Sequence, residues 1–164
     1  MIIRSIIIIE KYNMITIQEL KTKIDQKTRL LGIDMGSKKI GISISDDKRL
    51  IATPFHTIDF ISLDKLIVNL KKLINENNIK ALIIGDPINM DGSHGRASQS
   101  IRDKSTMISK KIEVPTVLWD ERLSTVGAFN LSRELDVNVS KRTKNIDKNA
   151  ATFILQGAID YLNN

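Results

Sequence analysis

The sequence predicts a single α/β domain, a mixed five-stranded sheet flanked by helices. Three observations predict it. The apolar segments Leu30-Leu31-Gly32-Ile33-Asp34 and Ile40-Gly41-Ile42-Ser43-Ile44-Ser45 are separated only by turn residues around Gly36-Ser37-Lys38-Lys39, the pattern of an antiparallel hairpin. Beyond the hairpin, segments of helical period alternate with short apolar runs, as parallel strands joined by right-handed crossovers require. Finally, 164 residues suffice for one domain with a substantial core and are too few for two ordinary ones.

Each element has its own signal. Residues 1–28 read as an N-terminal extension with a short helix, and residues 29–164 as the domain proper. Residues 1–13 have no place in the pattern unless Ile6 to Ile9 form an edge strand, and Met14 could itself be a start. Ile17, Leu20, Lys21 and Ile24 then fall at helical spacing within residues 15–27. Residues 50–58 form a third strand, pushed towards an edge by Pro54. Leu63, Leu66, Ile67, Leu70, Leu73 and Ile74 make an apolar helical stripe that Ser62 or Asp59 can cap. Residues 81–85 are a buried strand and residues 86–95 a polar, turn-rich loop. Ala97, Ile101, Ile108 and Ile112 mark a helix, residues 116–119 a strand, and residues 124–135 a third helix. A basic, irregular stretch at 136–145 leads to the last helix at 146–162. No internal repeat or low-complexity linker interrupts this order.

Composition narrows the chemistry. Lys and Arg number 25 against 19 Asp and Glu, a formal net charge of +6, which suits a polyanionic partner such as nucleic acid as well as it suits solubility. With no cysteine, disulfides, thiolate zinc sites and thiol nucleophiles are excluded. His56 and His94 are the only imidazoles and stand far apart, so oxygen ligands and a hard ion, Mg2+ or Mn2+, are favoured over zinc. No apolar run approaches bilayer-spanning length, and the opening Met1 to Ile9 stretch lacks the basic start and cleavage site of a signal sequence. The expectation is a cytoplasmic protein without a membrane partner.

Three carboxylates stand out. Asp34 ends an apolar strand, where burial without partners would be costly, although turn aspartates are common. Glu121 follows the 116–119 strand. It and Asp120 would point to opposite sides of a continuing strand, and a salt bridge to Arg122 is the plain alternative for either. Asp147 shares a helical face with Ala151, Ile154 and Ala158, with an N-cap role as its alternative. Acids from two strand ends and a helix suit a two-metal phosphodiesterase, whose ions sit about 3.5–4 Å apart and stabilise attacking and leaving oxygens.

Four blocks carry a resemblance: Leu31 to Gly41, Gly85 to Ser93, Asp120 to Thr125, and Ile146 to Ala151. Together, and in this order, they resemble the signature blocks of the YqgF (RuvX) family. The resemblance implies a ribonuclease-H-like fold related to RuvC Holliday-junction resolvases. It implies a nuclease that matures the 5' end of the small-subunit ribosomal RNA precursor, with branched DNA as the alternative substrate. By motif position it assigns catalysis and metal binding to Asp34, Glu121 and Asp147. Two departures are visible. Asp86 stands where the family usually has an apolar residue and adds a fourth acid at a strand end, and Gly127 and Asn130 follow the Asp-Glu-Arg block where helix formers are expected.

Candidates for contact with nucleic acid surround these acids: Asn89, Ser93 and Arg96 in the 86–95 loop and its exit, Lys38, Arg122, and the basic run Lys141, Arg142 and Lys144. Trp119 and Phe129 are assigned to the core, since no stacking platform is visible. The protein is expected to act as a monomer or weak homodimer. Two rivals remain. Asp34-Met35-Gly36-Ser37 also resembles the first phosphate loop of actin- and hexokinase-like ATPases, which need two such domains, and a nuclease-derived protein could bind RNA or the transcription machinery without cutting.

Overall fold

The computed structural model describes residues 13–123 and 139–164, and side chains throughout these except at 139–149. The order is β1 (Met14–Ile15), α1 (Ile17–Lys23), β2 (Arg29–Met35), β3 (Lys39–Ser45), β4 (Ala52–Asp59), α2 (Leu63–Asn77), β5 (Ile79–Asp86), α3 (Arg96–Lys111), β6 (Thr116–Asp120) and α4 (Val139–Asn163). The sheet runs β1-β6-β5-β2-β3-β4. The β2-β3-β4 meander is antiparallel, and β5, β6 and β1 are added in parallel. The mixed sheet and its flanking helices are those the sequence predicts.

Two expectations need correction. The sheet has six strands rather than five. The extra one is Met14–Ile15, paired in parallel with Thr116 and Val117. Ile15 reads as the start of a helix, but Thr16 is the N-cap. Its hydroxyl accepts from Glu19 N at 3.1 Å and the Glu19 carboxylate accepts from Thr16 N at 2.8 Å. That reciprocal box stops the helix at Ile17 and leaves the two preceding residues extended. The second correction concerns the last helix, which begins at Val139 rather than 146. Position 147 therefore lies two turns inside α4, which removes its N-cap alternative. The expected 124–135 helix, with Gly127, Phe129 and Asn130, falls outside the described residues.

Pleat alternation divides the core. Leu31, Ile33, Leu82 and Ile84 face α2 and α3, where they meet Leu66, Leu70 and Ile108. Leu30, Ala81, Ile83, Val117 and Trp119 face α4 and α1, against Leu20, Ile154, Leu155 and Ile159. Because neighbouring side chains on a strand point to opposite faces, this assignment extends to every residue at the strand ends. Helix α4 approaches the sheet closely: a Cβ at Gly32 would collide with Ser43 Oγ, Leu155 Cβ and the Ala151 carbonyl. Ser43 Oγ donates to that carbonyl at 2.7 Å, and Asn163 Nδ2 donates to Arg49 O at 2.7 Å at the far end of the sheet. From Arg49 to Gly32 the helix is thus read backwards towards the carboxyl ends of β2, β5 and β6.

Candidate active site

The carboxyl ends of β2, β5 and β6 gather four acids, and the pleat sorts them. Asp34 has the parity of Leu30 and Gly32, and Glu121, immediately after β6, that of Val117 and Trp119; both belong to the α4 face. Asp86 has the parity of Leu82 and Ile84, and Asp120 that of Leu118, so both belong to the α3 face. The side-chain contacts agree.

On the α4 face, Glu121 lies over Gly85, where any Cβ would strike its Oε1 and the Ile154 methyl. Only a glycine leaves room for a carboxylate at that place. Burial pushes the Glu121 carboxyl up to about 7, helped first by the negative charge of Asp34 and then by those of Asp86 and Asp120. Two acids thus share one face, and one of them holds its proton into the neutral range.

On the α3 face the acids are occupied. Asp86 is 1% exposed, and its Oδ1 accepts from Ser98 Oγ at 2.5 Å while Oδ2 lies 2.6 Å from Arg102 Nη2. His94 Nδ1 lies 2.9 Å from the same Ser98 hydroxyl. Asp120 accepts from Arg122 N at 3.0 Å and from Nη2 at 2.6 Å, and Arg122 holds its carboxyl below the usual range. Of the two acids that could have taken Arg122, the structure gives it to Asp120.

The 86–95 loop closes on itself. Asn89 N donates to Ser93 O, Gly92 N donates to Asn89 O, and Asp91 Oδ1 accepts from both the amide and the hydroxyl of Ser93. Gly92 supplies the left-handed residue this turn needs, at φ +85°. Asn89 and Ser93 also bond to each other at 3.0 Å, and with Arg96 they are exposed. Arg122 reaches within 3.8 Å of where a Cβ at Gly92 would lie, so the loop and the Asp120–Arg122 pair share one rim. Lys38 is exposed on the β2–β3 turn, four residues after Asp34. Lys141, Arg142 and Lys144 fall on the backbone of α4, in the part whose side chains, like that of Asp147, lie outside the described set.

Among the described residues no three acidic or imidazole groups converge as a metal cage. Asp34 and Glu121 are two of the three expected ligands. Their donor set, all carboxylate oxygen, fits a hard divalent cation such as Mg2+ or Mn2+ and does not suit zinc.

The comparisons with known proteins decide the family. The model of the RuvX family, described as Holliday junction resolvase, matches residues 28–161. The chain belongs to the RuvX family. A RuvX relative from Pelagibacter ubique, named "Putative pre-16S rRNA nuclease", is 60% identical over 151 residues, covering 92% of this chain and all of that one. One of the same name from Rhizobium meliloti is 42% identical, covering 91% of this chain and 90% of its own. Among solved structures, Thermus thermophilus RuvC in complex with a Holliday junction substrate superposes with a TM-score of 0.52 at 10% identity, over 82% of this chain and 96% of that one. That likeness shows that this RuvX chain has the ribonuclease-H-like fold of RuvC.

The sequence favours Glu121 over Asp86, since Glu121 belongs to a block that matches the family whereas Asp86 replaces an apolar residue and precedes Pro87, which constrains the backbone there. A sharper signal was present: counting from the core residues Ile83 and Ile84 puts Gly85 and Asp86 on opposite faces, and the face with the glycine is the one with room.

Proposed function

We propose that this protein is a metal-dependent nuclease that hydrolyses phosphodiester bonds, and that its substrate is the precursor of small-subunit ribosomal RNA, cut at the 5' end in the cytoplasm. The observation that carries this reading is that Asp34 and Glu121 share the α4 face close enough for the charge of one to act on the other, with Glu121 seated over Gly85. Support for the third acid comes from the course of α4. Position 147 is one turn before Ala151 along the backbone of α4, in the direction of the strand ends. Relatives named for pre-16S rRNA support the substrate.

Asp34, Glu121 and Asp147 would hold Mg2+ or Mn2+. Such an ion, when bound, stabilises the charge that develops on the attacking and leaving oxygens of the phosphodiester. The chain's own groups do the rest. Arg122, held by Asp120, and the closed 86–95 loop present donors in fixed positions to the phosphates flanking the bond to be cut. Lys38, Arg96 and the basic residues Lys141, Arg142 and Lys144 extend that contact along the strand.

The test is incubation of the purified protein with ribosomal precursor RNA and with branched DNA, each with Mg2+, Mn2+ or chelator, alongside Asp34→Asn. Expected are metal-dependent cuts in the RNA and none by the variant, which keeps the shape and loses the ligand charge. The description of the family as junction resolvases favours the second substrate, so cutting of the branched DNA alone would move the assignment there. Undiminished cutting by Asp34→Asn would overturn the mechanism.

A further inference from the structure

The opposite end of the sheet carries a feature the candidate active site does not use. Two hollows of about 460 and 470 Å³ open there. The first lies between the start of β2, the β3–β4 turn and the start of β5, lined by Lys27, Arg29, Lys48 and Lys80. The second lies between the ends of α2 and α3 and adds Lys71 and Lys111. Asn78 and Lys80 line both, so they form one continuous trough across the sheet's lower edge. Three strand spacings give it a length of about 15 Å.

Its charge is one-sided. Six basic residues line it against Asp47 and Glu113. Arg29 is paired with Asp47, and Lys111 with Asp64 at 3.3 Å. Lys27, Lys48, Lys71 and Lys80 are exposed and have no ion-pair partner among the described residues. A plain explanation exists for part of this: cations in the last turn of α3 compensate the negative end of that helix. It accounts for Lys111, but Lys27 and Lys48 lie in the loop before β2 and the β3–β4 turn, and Lys80 lies on a strand. Four uncompensated ammonium groups around a polar trough, with Asn77 and Asn78 amides between them, fit a chain of phosphates.

We infer that this trough is a second nucleic-acid site, which holds the phosphate backbone of a single-stranded RNA segment away from the bond being cut. The inference rests on the reading of the protein as an RNA nuclease. Lys80 and Asp86 stand at opposite ends of β5, about 20 Å apart at the rise of a strand. A trinucleotide seated at the carboxylates is shorter than that distance, whereas a long strand passing over the domain can fill both places. The trough adds affinity and selects for length and leaves the chemical step alone.

The test uses the full chain carrying Lys27→Ala, Lys48→Ala, Lys71→Ala and Lys80→Ala together, against a charge-matched control with Lys21, Lys23, Lys65 and Lys72 changed to Ala. All eight side chains are exposed, and circular dichroism checks that both variants fold. Binding of a fluorescent 30-nucleotide RNA and of a 3-nucleotide RNA, too short to span the two sites and with too few phosphates to fill the trough, is measured by anisotropy across a salt series. For the trough variant, affinity for the long RNA should fall at least tenfold beyond the control, and its salt slope should shrink by up to about 3 at roughly 0.7 per lost phosphate contact. Affinity for the short RNA should match the control. Equal affinities of the two variants for the long RNA, or an equal loss on both lengths, would overturn the inference. Because binding is read without cleavage, failure of the nuclease assay and failure of the trough are separate results.

Discussion

Gly85 is the floor beneath the Glu121 carboxylate: a methyl group at position 85 would collide with Glu121 Oε1 on one side and Ile154 on the other. Gly85→Ala should therefore act on activity and stability at once. Overpacking of this kind costs about 1–3 kcal/mol, readable as a lower denaturant midpoint. Displacement of the carboxylate should lower single-turnover cleavage by at least tenfold, beyond what the stability loss explains at 25 °C. A variant with normal cleavage would show that Glu121 acts from some other position.

Asp86 and Glu121 offer the sharpest contrast between neighbouring acids. Glu121→Gln should reduce single-turnover cleavage by several orders of magnitude. Asp86→Asn should leave the rate within a few-fold, because Asp86 faces α3 and is occupied by Ser98 and Arg102. It should instead destabilise the fold by about 3 kcal/mol or less, since one partner of a buried ion pair is lost while Arg102 can still reach water. The reverse pattern of rates would transfer the ligand role to Asp86.

Much of this site was legible in the residues, and the illegible parts have physical reasons. The hairpin that presents Asp34 and the strand that presents Glu121 follow from period-two patterns with turn residues between them. The edge strand Met14–Ile15 did not, because two apolar residues before a helix look like its first turn until the Thr16–Glu19 box is recognised. The basic run 141–145 read as irregular because Lys, Arg, Thr and Asn carry no apolar stripe, yet it continues α4. The role of Asp86 was hidden because its partners, Ser98 and Arg102, come from a helix whose rotation only packing sets.

Glu121 also makes the apo protein pH-sensitive. Its ordinary value is 4.5 and its folded value about 7, through burial first and then the charges of Asp34, Asp86 and Asp120. Between those values the folded state holds a proton that the unfolded state has released, so stability without metal falls as pH rises through this window and levels off above it. The change should be on the order of 1 kcal/mol after discounting for the solvent that reaches this partly exposed group. A divalent cation favours the ionised form, so its binding should expel the proton, with affinity rising with pH up to about 7. Calorimetric titration with Mn2+ in buffers of different ionisation enthalpy measures that release. Asp34→Asn removes the largest neighbouring charge and should shift the stability window to lower pH. A pH-independent Mn2+ affinity between pH 5 and 8 would contradict this picture.

The N-terminus gives a graded prediction. A protein initiated at Met14 keeps β1, α1 and Leu20, which is fully buried, but loses Asn13. That residue's carbonyl accepts from Thr116 N at 2.9 Å, and its Nδ2 donates to Ile112 O at 2.7 Å. Thr116 is itself buried, so its amide would lose its only backbone acceptor among the described residues, at a cost of about 1–3 kcal/mol. Cleavage at 25 °C should be retained, since none of the proposed ligands lies before Met14. Initiation at Thr28, where the family match begins, removes more: the β6 edge loses its partner, and Leu20 no longer covers the cluster around Val117, Trp119 and Ile159. Burying one leucine is worth about 1.5–3 kcal/mol, and the bared strand edge invites association between molecules. The longer truncation should therefore melt at clearly lower temperature and aggregate on heating, as circular dichroism and light scattering would show. If it matched the full chain in both, residues 13–24 would contribute nothing to the domain. If instead the Met14 protein folded normally but failed to cut, a part in the reaction would have to be sought within the first thirteen residues.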